Sequence, residues 1–178
     1  MKRRHTLFGA LASLLVLAGT AQAQFAPTGT TSVSVAVAAE AALSVTSTTS
    51  LTNTGTIFND YTGSTAFTYK IRTGSSTTYN IGLQVTQDFN PAGGPSIATP
   101  PTSGDALTYQ NTVSTPGTGV SGTQTASTAN KTGVATFGAG ANSAKAGNSG
   151  SVAWNLTDDP QYSAGSYSAT ITFTISAT

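Results

Sequence analysis

The sequence predicts an all-β fold, an antiparallel sandwich or barrel, and three observations support this class. Apolar and polar residues alternate in several short segments, which is the period of a half-buried strand. Connectors rich in Gly, Pro, Ser and Thr separate these segments, and no amphipathic helix pattern follows residue 23. Short strands without helices bury their apolar faces by packing sheet on sheet or by closing into a barrel.

The first alternating segment covers residues 30–38, where Val33, Val35 and Val37 alternate with small residues. We expect a break at residues 39–41, after which the chain continues in extended form. Two interpretations of residues 30–38 stay open. The segment is the first strand of its own domain, or it is a strand that inserts into a neighbouring copy and completes that copy's sheet.

Two strands follow in residues 64–73 and 79–85, each with an apolar residue at every second position. The link between them, Gly74-Ser75-Ser76, is short and turn-like. We therefore expect these two strands to pair with each other as a hairpin.

Further strands are expected around Tyr109, at residues 134–137 and around Trp154. Trp154 is the sole tryptophan and lies centrally in its segment, so we expect it to fill the core. The long connectors at residues 90–104 and 114–133 are rich in Gly, Pro, Ser and Thr, which favours a place on the surface.

The last alternating segment, residues 167–176, shows the clearest strand pattern. One parity carries serine and threonine, and the other carries the residues predicted to face the core: Tyr167, Ala169, Ile171, Phe173 and Ile175. Branched threonine suits the exposed face because its Cβ favours extended backbone.

Residues 1–23 have the three parts of a secretory signal peptide. Lys2, Arg3 and Arg4 form a basic start, residues 7–19 are an apolar run, and Ala21-Gln22-Ala23 is a small-x-small cleavage site. We expect one domain, residues 24–178, exported to the periplasm, the cell surface or the extracellular space. The alternative is an uncleaved membrane anchor, but the apolar run is shorter than the about 20 residues that span a bilayer. The sequence shows no later apolar segment of that kind, so no membrane span is expected after cleavage.

The charge of the chain limits the classes of partner that it is expected to bind. After residue 23 it keeps four basic and six acidic residues, a net charge of −2, so nucleic-acid binding is not expected. Only 7% of the whole chain is charged, against about a quarter in typical globular proteins. A neutral surface repels its own copies weakly, which suits self-association, although a sparsely charged monomer fits the composition equally well.

The residue inventory argues against catalysis. After residue 23 the chain has no His, Cys or Met, so it lacks the side chains most used for acid–base, nucleophilic or transition-metal chemistry. A serine nucleophile would have only a lysine as its base, and Lys70 lies on an expected exposed strand face. We predict no enzyme, no catalytic residues and no cofactor.

The carboxylates indicate turns rather than a metal site. Asp158 and Asp159 precede Pro160 and are expected to cap a turn, since neighbours on a strand point to opposite faces. Asn59-Asp60 and Asp105 could join a calcium site with backbone oxygens, but no Asp-x-Asp-x-Asp spacing supports it. The sequence predicts no metal.

Three aromatic residues fall outside clean alternation, namely Tyr61, Phe89 and Tyr162. If their rings are exposed and clustered, they form a platform for a carbohydrate or cell-wall polymer. If they are buried, they pack turns. This binding-module hypothesis is the alternative to a structural role.

The ending at residues 164–175, Ala-Gly-Ser-Tyr-Ser-Ala-Thr-Ile-Thr-Phe-Thr-Ile, resembles the final strand of bacterial secreted immunoglobulin-like sandwiches of the spore-coat-protein-U and pilin-like type. In those proteins a Gly-x-Tyr turn leads into alternating Thr and apolar residues. The resemblance implies a single immunoglobulin-like β-sandwich of about seven to nine strands and a surface structural role, such as a pilus-like or matrix subunit. Val33, Val35 and Val37 are then the candidate intersubunit strand.

Overall fold

Nine β-strands and no helix make up the part of the chain that the computed structural model describes, residues 29–53 and 55–178. In chain order they are β1 Glu40–Val45, β2 Tyr61–Arg72, β3 Tyr79–Asn90, β4 Leu107–Val113, β5 Thr118–Gly119, β6 Gln124–Thr125, β7 Thr132–Phe137, β8 Asn148–Leu156 and β9 Ser168–Ala177. The predicted signal peptide, residues 1–23, lies outside these ranges. Within them, no helix is long and apolar enough to cross a membrane.

The strands form two antiparallel sheets that pack face to face. Sheet A has the order β1-β2-β8-β4-β6, and sheet B has the order β5-β7-β3-β9. Contacts group residues Val37–Thr178 into one unit. The predicted β-sandwich is confirmed. The six strands β1-β2-β8-β4 opposite β3-β9 have the order of strands A-B-E-D opposite C-F of an immunoglobulin-like sandwich. The short strands β5 and β6 and the strand β7 beside β3 lie between β4 and β8 in the chain and are additions to that order.

Aromatic side chains join the two sheets at the core. The Tyr69 ring of sheet A meets the Phe137 ring of sheet B edge-on, with centroids 4.8 Å apart. Trp154 is only 4% exposed, lies 5.3 Å from the Tyr109 ring, and donates its indole N–H to the Thr65 hydroxyl at 2.7 Å. The prediction that Trp154 fills the core is confirmed.

The predicted hairpin between the second and third strands is wrong. β2 pairs with β1 and β8 in sheet A, whereas β3 pairs with β7 and β9 in sheet B. The link between them passes from one sheet to the other. Backbone hydrogen bonds to the connector between β7 and β8 hold it in place: the Thr73 N–H donates to Ala141 O and the Gly140 N–H donates to Gly74 O, both at 2.9 Å. A short polar link is compatible with either arrangement, and here each strand buries its apolar face in the core between the two sheets.

The predicted break at residues 39–41 is also wrong. β1 begins at Glu40, which lies opposite Arg72 and forms an ion pair with it. Residues 41, 43 and 45 then point inward with the period of a strand. Residues 30–38 before it, in contrast, belong to no strand, so the interpretation of this segment as the first strand of its own domain is wrong.

Asp88 anchors the long connector after β3. Its carboxylate accepts hydrogen bonds from the Ser96 hydroxyl at 2.7 Å and from the N–H groups of Ile97, Ala98 and Phe89 at 2.8, 3.0 and 2.9 Å. Partial burial acts to raise the pKa of Asp88, but these hydrogen bonds outweigh it and hold the pKa below its ordinary value.

Replacing Asp88 by Asn is expected to destabilise the fold by about 1–2 kcal/mol at pH 7, because one amide oxygen cannot accept all of these donors. A lowered folded-state pKa means that the carboxylate stabilises the fold above its unfolded pKa of about 4, and that this stabilisation is lost as the pH falls through the folded value. Urea unfolding at pH 7, 4 and 3 should therefore show a flatter pH dependence in Asp88→Asn. The control is Asp60→Asn at an exposed carboxylate, and equal pH profiles for Asp88→Asn and the parent would contradict the prediction.

Candidate functional site

A groove runs along one open side of the sandwich, between the edges of the two sheets. Its volume is about 650 Å³. One wall is Val45, the last residue of β1, with the chain that follows it to Leu51, and the other wall is the first part of β9, from Ser168 to Phe173, with the residues just before it. We call this cavity the edge groove.

The chain after β1 prolongs the first wall by staying beside β2. The Thr46 N–H donates to Ala66 O at 2.9 Å, and the hydroxyls of Thr49 and Thr65 lie 2.6 Å apart. Thr52 and Thr62 exchange backbone hydrogen bonds of 2.9 and 3.0 Å. Sheet A is thereby extended at its edge by a loosely paired segment.

The walls of the edge groove carry core side chains that no strand covers. Inward residues of the central strand β3, such as Ile81 and Leu83, are fully buried. The corresponding residues of the two edges are only half-buried although they pack against the core, and those in the groove are Val45, Leu51, Ala169, Ile171 and Phe173. Their half-exposed apolar surface is what an additional strand would bury.

The backbone of β9 is also open on this side. Among the described residues β9 pairs with β3 alone, so it is an edge strand of sheet B. An antiparallel edge strand presents N–H and C=O groups at alternate residues to whatever lies beside it. The groove therefore offers both apolar surface and backbone hydrogen-bonding groups.

The three aromatic residues singled out from the sequence come together here. Tyr61, Phe89 and Tyr162 lie far apart in the chain, yet all line the edge groove, and each is half-buried. The Tyr162 hydroxyl donates to Asp105 at 3.2 Å. Burial, and then the negative charges of Asp105, Asp159 and Asp158, raise the pKa of Tyr162, so the phenol stays protonated.

The valines of the candidate intersubunit strand are exposed. Val33, Val35 and Val37 are 92%, 84% and 61% exposed, and no strand includes them. In the sequence they look like part of a buried strand, whereas in the structure each of the three side chains is mostly exposed.

Phe58 is a groove residue that the sequence did not indicate. It is exposed, lines the mouth of the groove and has a positive φ of 58°. The adjacent Ile57 and Phe58 form an apolar pair within a polar connector, which is the signal that could have identified it.

Asp159, an acidic residue that lines the groove, caps a turn. The Asp159 carboxylate accepts the N–H of Gln161 at 2.7 Å, and its backbone carbonyl accepts the N–H of Tyr162 at 2.9 Å, as expected of a turn cap. Within residues 29–53 and 55–178, no three His, Cys, Asp or Glu side chains form a metal-binding group.

No protein-family model, curated protein or solved structure matches this chain.

Proposed function

We propose that this protein is an exported structural subunit that assembles with copies of itself by strand addition. In this proposal residues 30–38 of one copy lie beside β9 of the next and place Val33, Val35 and Val37 in its edge groove. The added strand would occupy the place that strand G has beside strand F in an immunoglobulin-like sandwich.

The period of the segment suits the groove. Three valines at alternate positions lie about 6.6 Å apart and face one side of a strand, so they span about 13 Å of the groove. Ser32, Ser34 and Ala36 would then face outward, in line with the serine and threonine face of β9. Each buried valine contributes about 1.5–3 kcal/mol before the cost of ordering the segment.

The charges also suit this pairing. Residues 29–39 carry no charge, and among the described residues that line the groove only Asp158 and Asp159 are charged. A neutral strand can approach neutral β9 without electrostatic repulsion. The observation that carries the proposal is that one chain has both an exposed alternating apolar segment and an uncovered apolar edge.

Electron microscopy of the chain without residues 1–23, at rising concentration, is expected to show filaments. A chain that also lacks residues 24–38 should stay monomeric and should bind a labelled peptide of residues 29–39 but not a scrambled peptide, as measured by fluorescence anisotropy. If the chain of residues 24–178 is a monomer at every concentration while the shorter chain binds the peptide, the segment fills its own groove, and assembly between copies is refuted.

A second candidate is a binding module for a carbohydrate or cell-wall polymer. The observation that favours it is that Tyr61, Phe89 and Tyr162 line one groove, because aromatic rings with a polar edge suit sugar surfaces. The peptide assay separates the two candidates. Soluble cell-wall fragments that bind the shorter chain when no labelled peptide binds would support the module and contradict strand addition.

A further inference from the structure

Charged side chains are rare in this sandwich, and they are divided between its two ends. One end is where β2 begins and β8 ends, since Tyr61 lies opposite Leu156. The other end is where β1 begins and β2 ends, since Glu40 lies opposite Arg72. We call the first the acidic end and the second the basic end. The edge groove reaches the acidic end, because Tyr61 and Leu156 both line it.

All the aspartates of the chain lie at or beside the acidic end, and they are Asp60, Asp88, Asp105, Asp158 and Asp159. Asp60 directly precedes β2, and the neighbouring pair follows β8. Asp105 lies just before β4, whose first residue is opposite the last residue of β8. Asp88 lies near the end of β3, which pairs with the groove-lining start of β9. No lysine or arginine of the described chain lies at this end, so its side chains sum to −5.

Three basic side chains of the described chain lie at the basic end, and they are Lys70, Arg72 and Lys145. The connector that carries the last of them is bound to β2, because the Ser143 N–H donates to Ile71 O at 2.9 Å. Together with Glu40, the side chains of this end sum to +2, and a terminal carboxylate on nearby Thr178 would leave +1. The remaining lysine, Lys131, directly precedes β7 and lies beside the middle of β3. The two ends therefore carry opposite charge.

The valine segment leaves the sandwich from the basic end. Ala38 O accepts a hydrogen bond from Arg72 Nε at 2.7 Å, and β1 begins at Glu40. Three residues of extended chain, from Val37 to Glu40, span at most about 11 Å. A copy that places Val37 in the groove of another copy must therefore bring the start of its own β1 close to that groove. At such separations charges are only partly screened, because the Debye length is about 8 Å at physiological ionic strength.

The direction of the donated segment decides which two ends meet. On the β1 side the groove is lined only from Val45 onward, and on the β9 side only as far as Phe173; beyond these residues β1 and β9 contact each other. The other end of the groove is the acidic end, where Asp158 and Asp159 line it. A segment that leaves the groove there brings the donor's basic end onto the acceptor's acidic end. The reverse direction would bring two basic ends together, which repel each other.

We propose that the acidic end of one copy binds the basic end of the next, so that the copies stack head to tail. The inference rests on the proposed strand addition and assigns its direction and its contact surface. Because β9 runs from the acidic end toward the basic end, residues 30–38 of the donor lie antiparallel to β9 of the acceptor. A head-to-tail contact that does not close on itself gives a linear filament with a free groove at one tip and a free segment at the other.

The sign of the salt effect on assembly is the first test. After residue 23 the chain has a net charge of −2, so if only net charge mattered, salt would strengthen association between copies. Opposite charges at the joint predict the reverse, a loss of about tenfold in association of residues 24–178 between 20 and 300 mM NaCl. The uncharged peptide of residues 29–39 should bind the chain that lacks residues 24–38 with a change of less than about twofold. Association of residues 24–178 that is unchanged or stronger at high salt would overturn the head-to-tail contact.

Two exposed lysines provide a matched pair of variants. Lys145→Glu and Lys131→Glu change the net charge equally, but only the first lies at the basic end. Lys145→Glu should weaken association about tenfold at 20 mM NaCl, measured by sedimentation velocity, and Lys131→Glu should weaken it by less than about twofold. Equal effects of the two variants would mean that net charge alone acts, which contradicts the proposal.

Disulfide cross-linking tests the direction itself, since the chain has no cysteine of its own. The donor is the chain of residues 24–178 with Ala38→Cys. The acceptor is the chain that lacks residues 24–38, with either Ala164→Cys or Ala144→Cys. Ala164 is exposed and lines the groove just before β9, whereas Ala144 is exposed at the basic end. A non-reducing gel should show the donor joined to the Ala164→Cys acceptor and not to the Ala144→Cys acceptor.

The peptide assay distinguishes failure of this inference from failure of strand addition. If the peptide of residues 29–39 does not bind the shorter chain, strand addition is wrong and the stacking is wrong with it. If the peptide binds but the donor joins the Ala144→Cys acceptor, or neither acceptor, strand addition stands and only the head-to-tail contact is overturned.

Discussion

Replacing Val33, Val35 and Val37 together by serine is expected to abolish assembly and to leave the sandwich intact. The three valines are exposed and belong to no strand, so their loss should change the free energy of unfolding of a single copy by no more than about 0.5 kcal/mol. If each valine contributes at least about 1.5 kcal/mol to the joint between copies, the triple change weakens association on the order of a thousandfold. Sedimentation velocity and urea unfolding of the same preparations measure the two quantities separately.

The matched control changes the opposite parity of the same segment. The control variant carries Ser32→Thr, Ser34→Thr and Ala36→Ser, at three positions that would face away from the groove. These substitutions keep or raise the strand propensity of the segment. This variant should assemble like the parent chain. If both triple variants assemble equally well, or if both fail, the alternation of the segment has no role and strand addition in this register is wrong.

Replacing Trp154 by Ala is expected to destabilise the sandwich by about 3–5 kcal/mol, the cost of removing a large aromatic side chain from a core. The side chain is 4% exposed, packs on Tyr109 and donates its N–H to Thr65. Small domains have about 5–15 kcal/mol of stability in total, so the variant should be close to unfolding. Far-UV circular dichroism in urea measures the change, since the only tryptophan fluorophore is removed.

Two further variants separate packing from hydrogen bonding at this position. Trp154→Phe retains an aromatic ring but loses the N–H, and Thr65→Val removes the acceptor and leaves the indole N–H buried without a partner. Each is expected to cost about 1–3 kcal/mol, and the double variant should cost less than the sum of the two. A loss below about 1 kcal/mol for Trp154→Ala would contradict its place in the core.

The alternation of apolar residues predicted much of the fold correctly. Residues 169, 171, 173 and 175 pack against the core from β9 as expected, and the strands around Tyr109 and Trp154 lie where the pattern put them. Tyr167, expected on the same face, precedes β9 and is not part of the core. This part was predictable because side-chain direction in a strand depends on residue parity alone.

Strand partners were not predictable in the same way. The hairpin predicted between β2 and β3 was wrong because residue parity shows only which face of a strand is buried. Two strands with buried faces can pair within one sheet or pack against each other from opposite sheets, as β2 and β3 do. The break at residue 40 was wrong because Glu40 suits an edge strand, where its side chain is exposed and meets Arg72.

The candidate site, too, was only partly predictable from the sequence. The sequence indicated Tyr61, Phe89 and Tyr162 as residues outside the pattern, and residues 30–38 as a segment of strand composition. It could not show that the three rings line one groove, because they come from the starts or ends of different strands and a connector. It also could not distinguish a covered valine from an exposed one.

The sequence by itself determined that the chain forms strands and which side chains of each strand face inward, since both follow from local composition and a period of two. Only the tertiary structure decided that β1 and β9 are edges among the described strands, that their apolar residues stay half-uncovered, and that Tyr162 meets Asp105. These features depend on hydrogen bonds and packing between residues far apart in the chain, and no local pattern encodes which strand is left without a neighbour.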